Sequence, residues 1–213
     1  MCTDRFGFLV SVVAVLFSCV CVSNAGIVPL VVVDDLTDLL GPNPVALGSL
    51  DTIMENEGLA ADVLSQAFSN EAGDSYAYLY QVDNSKETSV HFIEVFTLCP
   101  FAGANENTQM GWLAGDIPAG FDTGGQDPWD QGNVSSVGPT VTFYYLDAFD
   151  KAMFKGEHSV VMYVLSDLPP DVIVGNIING SVADGPVVGP LPEPATIAML
   201  GLGALALLRK RRN

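Results

Sequence analysis

The chain is poor in cysteine, histidine and positive charge, and each shortage removes a class of function. Three of its four cysteines, Cys2, Cys19 and Cys21, fall within the first 25 residues. If that segment is removed on export, Cys99 alone remains and no internal disulfide can form. Cys99 ends the apolar run Val90 to Leu98, where a thiol is expected to be buried as a small hydrophobe. His91 lies too far back along the same strand to act as its base. The two histidines, His91 and His158, have no second His or Cys at zinc-ligand spacing. Neither Gly-x-Ser-x-Gly nor Gly-x-x-x-x-Gly-Lys occurs, so the α/β-hydrolase and P-loop signals are both missing. No repeat of fixed period is present.

Lysine and arginine number eight against 25 Asp and Glu, for a formal net charge of −17. The cations crowd the ends: Arg5 at one, Arg209, Lys210, Arg211 and Arg212 at the other. Between Gly26 and Leu191 only Lys86, Lys151 and Lys155 remain, facing 23 acids once Asp4 and Glu193 are set aside, a net of −20. Such a body repels nucleic acid and anionic headgroups, which excludes both as partners. It reads as a solvated acidic coat, compatible with loose association of divalent cations.

What is present is organised at the two ends. Met1 to Ala25 has a weakly basic start at Arg5, an apolar core from Phe6 to Val22 and the small-x-small site Ser23-Asn24-Ala25 before Gly26. This is the pattern of a secretory signal peptide, cut by signal peptidase between Ala25 and Gly26. At the other end, Pro192-Glu193-Pro194 precedes the uncharged run Ala195 to Leu208 and the basic stop Arg209, Lys210, Arg211, Arg212. As a helix that run spans roughly 21 Å, short of the ~30 Å hydrocarbon core, and snorkelling basic stems extend it. The positive-inside rule keeps the basic cluster cytoplasmic and the body outside. A sortase signal would need Thr and Gly where Pro194 and Ala195 stand, and a GPI signal should end apolar.

This tripartite tail resembles the PEP-CTERM sorting signal of bacterial surface and exopolysaccharide-associated proteins, a segment also labelled the C-terminal domain of ice-binding proteins. The resemblance covers about the last tenth of the chain. It implies an exosortase that cuts near Pro-Glu-Pro, general secretion machinery, and delivery to the cell surface or extracellular matrix. A permanent single-pass anchor is the alternative.

The body, Gly26 to Leu191, suits one domain. Ile27 to Val33 is a β-rich run, and Gly41-Pro42-Asn43-Pro44 a loop. Leu59 to Phe68 fits a helical stripe and a strand equally. Tyr76, Tyr78, Tyr80 and Val82 share one face of a strand. Asp83 to Lys86 is expected to turn that strand into a hairpin with Ser89 to Leu98. The Tyr-x-Tyr-x-Tyr-x-Val-x-Asn pattern from Tyr76 to Asn84 is similar to the central hairpin of β-sandwich domains often carried by PEP-CTERM proteins, which implies a strand at Leu59 to Phe68. Pro100 to Gly138 is rich in Gly, Asn, Asp and Pro, with isolated Trp112, Phe121 and Trp129. Thr140 to Leu146, Val160 to Leu165 and Val172 to Ile178 are further strands, and Gly180 to Leu191 reads as a Gly/Pro tether. The expected fold is an all-β antiparallel sandwich over 26–179, then a linker over 180–191 and a sorting signal over 192–213 with its transmembrane helix at 195–208.

Chemistry is thin. Asp122-Thr123-Gly124 has the Asp-Thr-Gly triplet of aspartic proteases, whose two carboxylates share a proton across a dyad. One copy suffices only in a homodimer, and the flanking Gly120 and Gly125 depart from that pattern. Asp122, Asp127 and Asp130 share a Gly-rich segment and are weak calcium candidates outside EF-hand spacing. Trp112 and Trp129 offer either a platform for polysaccharide or a cap on the sandwich core. The leading expectation is a non-enzymatic surface protein of structural or adhesive role, against a secreted hydrolase using Asp122.

Overall fold

The computed structural model describes residues 25–129, 131–136, 138–145 and 152–191. Twelve strands and one short helix are described: β1 Ala25–Pro29, β2 Val31–Val33, α1 Leu36–Leu40, β3 Val45–Asn56, β4 Leu59–Ser69, β5 Tyr76–Asp83, β6 Val95–Cys99, β7 Met110–Leu113, β8 Gln131–Ser135, β9 Thr140–Tyr144, β10 Met162–Ser166, β11 Pro170–Asn179 and β12 Ser181–Pro190. They form two six-stranded sheets, β1-β8-β9-β6-β11-β12 (sheet I) and β2-β7-β10-β5-β4-β3 (sheet II). Pairing is antiparallel except between β2 and β7. The all-β expectation therefore holds.

The core lies between the sheets. Tyr78, Tyr80 and Val82 of β5 meet Phe96 and Leu98 of β6, Ile173 and Ile177 of β11, and Val187 of β12. Sheet II is buried on its outer face as well, where Ala77, Leu79 and Tyr163 pack with Leu36 and Leu40 of α1 and with Phe121. A strand apolar on both faces loses its period-two alternation, so β4 reads equally as a helix from sequence. Helix α1 is fixed by its first turn. The Asp35 carboxylate accepts from the backbone N–H of Thr37 and Asp38, and Asp38 returns a bond to the Asp35 N–H. The β3–β4 turn needs two left-handed residues, Glu57 (φ 49°) and Gly58 (φ 85°).

Several expectations change. Gly180 to Leu191 is no tether: β12 pairs with β11 from Asn179↔Ser181 to Pro170↔Pro190, so the sandwich continues past residue 179. Its glycines and prolines suit a closely packed edge. A side chain at Gly185 would run into Thr52 and Met54, and one at Gly189 into Ile173, while proline is tolerated where no ladder donor is needed. The expected hairpin after β5 is a crossover, because β6 lies in the other sheet. Asn84 is fully buried there: its amide donates to the carbonyls of His91 and Met153 and accepts from the Ser89 hydroxyl. Ile27 to Val33 divides at Leu30 into edge strands of both sheets. Cys99 is half-buried rather than buried, and His91 is an exposed bend residue. The irregular Pro100 to Gly138 stretch contains β7 and β8.

Candidate functional sites at the two ends of the sandwich

Register places both ends of the described chain at one end of sheet I. Ala25 pairs with Ser135, Ser135 with Thr140, and Pro190 with Pro170. The 101–102 segment ties this end together: Phe101 N–H donates to Pro139 and Ala102 N–H to Pro190. The expected cleavage pair, Ala25 and Gly26, opens β1, and Gly26 faces Val134. Leu191, the residue before Pro192, packs against the core. Buried side chains hold β12 from beneath: Tyr80 Oη donates to Val188 O at 2.7 Å, and Ser65 Oγ accepts from Val188 N–H at 3.0 Å. From the neighbouring edge, Thr52 Oγ1 donates to Pro186 O and Asn56 Nδ2 to Val182 O. Burial pushes the Tyr80 hydroxyl well above the usual tyrosine value, helped by neighbouring Tyr78.

The opposite end of sheet II gathers the chemistry of the Gly-rich segment. A cavity of about 320 Å³ lies between the end of β7, the approach to β10 and the 123–127 loop, lined by residues that include Trp112, Ile117, Thr123, Gly125, Asp127 and Val160. The loop is strapped to its neighbour: Gln126 N–H donates to His158 O at 2.7 Å, and Val160 N–H to Gln126 O at 3.1 Å. Gly125 (φ 109°) permits this approach, since a Cβ there would stand 2.6 Å from the His158 and Ser159 backbone. Asp122 is exposed beside the cavity, its backbone clamped at both N–H and C=O by the Gln81 amide (2.8 and 2.9 Å). Asp127 is half-buried, and its charge adds to burial in raising the Tyr145 hydroxyl.

Of the calcium candidates, Asp122 and Asp127 are placed five positions apart along this loop, and Asp130 lies outside the described residues. Among the described residues, no three His, Cys, Asp or Glu side chains gather into a group able to hold a metal. Trp112 lines this cavity, and Trp129 is not among the described residues that do. Sequence reasoning passed over Gln81, a strand glutamine with no local motif, and Thr123, which had weight only inside the protease triplet.

The motif Pro192, Glu193, Pro194, the run 195–208 and the basic residues Arg209 to Arg212 lie outside the described residues, as do residues 1–24. Among the described residues no helix is long and apolar enough to cross a membrane. The comparison that decides the tail is a family model, described as the PEP-CTERM protein-sorting motif, which matches residues 190–212. The chain carries a PEP-CTERM sorting signal. That signal implies exosortase as a processing partner and implies export to the surface or extracellular space. No curated protein and no solved structure matches the chain. The match begins at Pro190, the final residue of β12, so the PEP-CTERM signal starts where the sandwich ends.

Proposed function

We propose that the chain is an exported, non-enzymatic surface domain. It passes through a membrane-inserted precursor and is released by exosortase next to Pro192-Glu193-Pro194. The observation that carries this reading is the abutment of the matched sorting motif on the last strand. Folded domain and address label meet without a spacer, as suits a body delivered whole. Signal peptidase cutting between Ala25 and Gly26 frees the N-terminus at the same end of sheet I, so both processing steps work on one pole of the domain.

At the surface the domain has a structural or adhesive role in contact with extracellular polysaccharide. A non-enzymatic reading is supported at Asp122, whose carboxylate is exposed while its backbone is held by Gln81. A dyad needs two carboxylates sharing a proton in a shielded site. Intact-mass analysis of protein from its native host tests the proposal: an N-terminus at Gly26 and a C-terminus near Pro192 are expected. A chain still ending at Asn213 would replace release by permanent anchoring. Proteolysis abolished by Asp122→Ala would overturn the non-enzymatic reading.

A further inference from the structure

We propose that the cavity lined by Trp112, Thr123 and Asp127 binds one pyranose unit of a neutral glycan, at the pole of the sandwich away from the sorting tail. This deepens the adhesive reading above and rests on it. The polarity follows from register. Strand β10 runs from Met162, opposite Trp112, to Ser166, and the chain then enters β11 at Pro170, the partner of Pro190. The cavity thus lies at the pole opposite the end of β12, where the matched motif begins.

Size and lining define the ligand. At about 320 Å³ the cavity lies at the small end of the ~300–1,000 Å³ range of ligand pockets, room for one ring rather than an oligomer. The indole of Trp112 with the aliphatic Ile117 and Val160 offers apolar surface for the C–H face of a sugar. The Thr123 hydroxyl donates or accepts, and the Asp127 carboxylate accepts from sugar hydroxyls. Among the described residues no lysine or arginine lines it, and the surrounding body is strongly acidic. Uronate or phosphate would therefore meet repulsion with no compensating cation. A quaternary ammonium ion is recognised best by several aromatic faces closing round it, and among the described residues one aromatic side chain, Trp112, lines the wall. The wall is also preformed: the Gln126 bonds and the close approach at Gly125 hold the 123–127 loop against residues 158–160, which limits the ordering cost of binding.

Isothermal titration of the processed protein tests this, with neutral di- to tetrasaccharides of glucose, galactose and mannose as probes and oligogalacturonate as the anionic comparison. Saturable binding of at least one neutral probe is expected, and none of oligogalacturonate. Trp112→Ala and Asp127→Asn should each weaken it roughly tenfold, about the worth of one good contact. Thr123→Val, on an exposed loop residue, should weaken it severalfold with an unchanged urea midpoint, which guards against misfolding of the tryptophan variant. Binding of none of the probes, equal affinity for oligogalacturonate, or full affinity in Thr123→Val would overturn the proposal. Sedimentation with extracellular polysaccharide of the native host separates the two claims. If Trp112→Ala still co-sediments like the parent, adhesion stands and the cavity is not its site; if the parent stays in solution, the adhesive reading fails as well.

Discussion

Truncation distinguishes a C-terminal strand from a tether most directly. A chain ending at Leu191 keeps β12; one ending at Gly180 loses it together with the tail. The loss can be worked from the contacts. Val187 and Val188 leave the core, at roughly 1.5–3 kcal/mol each. The fully buried Tyr80 hydroxyl loses its Val188 acceptor, a desolvation cost of about 1–3 kcal/mol. Together these give about 4–9 kcal/mol, before Ile173 and Met54 lose the surface that covers them, against a total of about 5–15 kcal/mol for a natural domain. Urea unfolding followed by tryptophan fluorescence and far-UV circular dichroism should show a single cooperative transition for the chain ending at Leu191. For the chain ending at Gly180 it should show no cooperative transition, or a midpoint drastically lowered. Equal midpoints would refute the argument, because a peripheral tether is the only segment whose removal costs nothing.

Asn84→Ala removes two amide donations and the Ser89 bond from a fully buried position and should cost about 2–4 kcal/mol in urea unfolding; a change under about 0.5 kcal/mol would show that these bonds do not hold the crossover. Burial raises Tyr78, Tyr80, Tyr145 and Tyr163 above the ordinary 10.0. Their contribution is therefore fully present below pH 10 and drains away as pH climbs from there towards the folded values. Tyrosinate absorbance from these four should rise together with loss of circular dichroism; a rise in the still-folded protein would sink that assignment. Gly125→Ala places a Cβ against the His158 and Ser159 backbone at a positive φ and should cost about 1–3 kcal/mol, while Gly124→Ala, whose Cβ meets nothing within 4 Å, should cost less.

What sequence could carry was local. The tyrosine alternation of β5 was legible because inward positions repeat every second residue, and the PEP-CTERM tail because its three parts are contiguous. The strand at Leu59 to Phe68 was not separable from a helix by its own pattern, since Leu64 and Phe68 face a second cluster beneath α1 while Leu59 and Val63 face the main core. Nothing near β12 announces that Tyr80, over a hundred positions earlier, supplies the donor that makes a Gly/Pro-rich segment a strand. The hairpin expected after β5 failed for a related reason: turn residues mark where the chain bends, and the sheet it joins next depends on what Asn84 finds to bond. The cavity was legible only as separate residues, because strand register, not spacing, sets Trp112 beside the 123–127 loop.

The fold also limits where the chain can be cut without damage. Pro192 is two positions beyond Pro190, and a fully extended chain covers at most ~7 Å over that distance. A processing enzyme acting at Pro-Glu-Pro therefore works against the folded end itself. A cut at or beyond Pro192 leaves the Ala102 bond to Pro190 and the Tyr80 bond to Val188 in place, and the released domain need not rearrange. A cut before Pro186 would carry off the acceptors of both Thr52 and Tyr80 and turn release into unfolding. Abutment of signal and strand thus confines harmless cleavage to the tail side of Leu191, which is where the matched motif puts its proline-flanked glutamate.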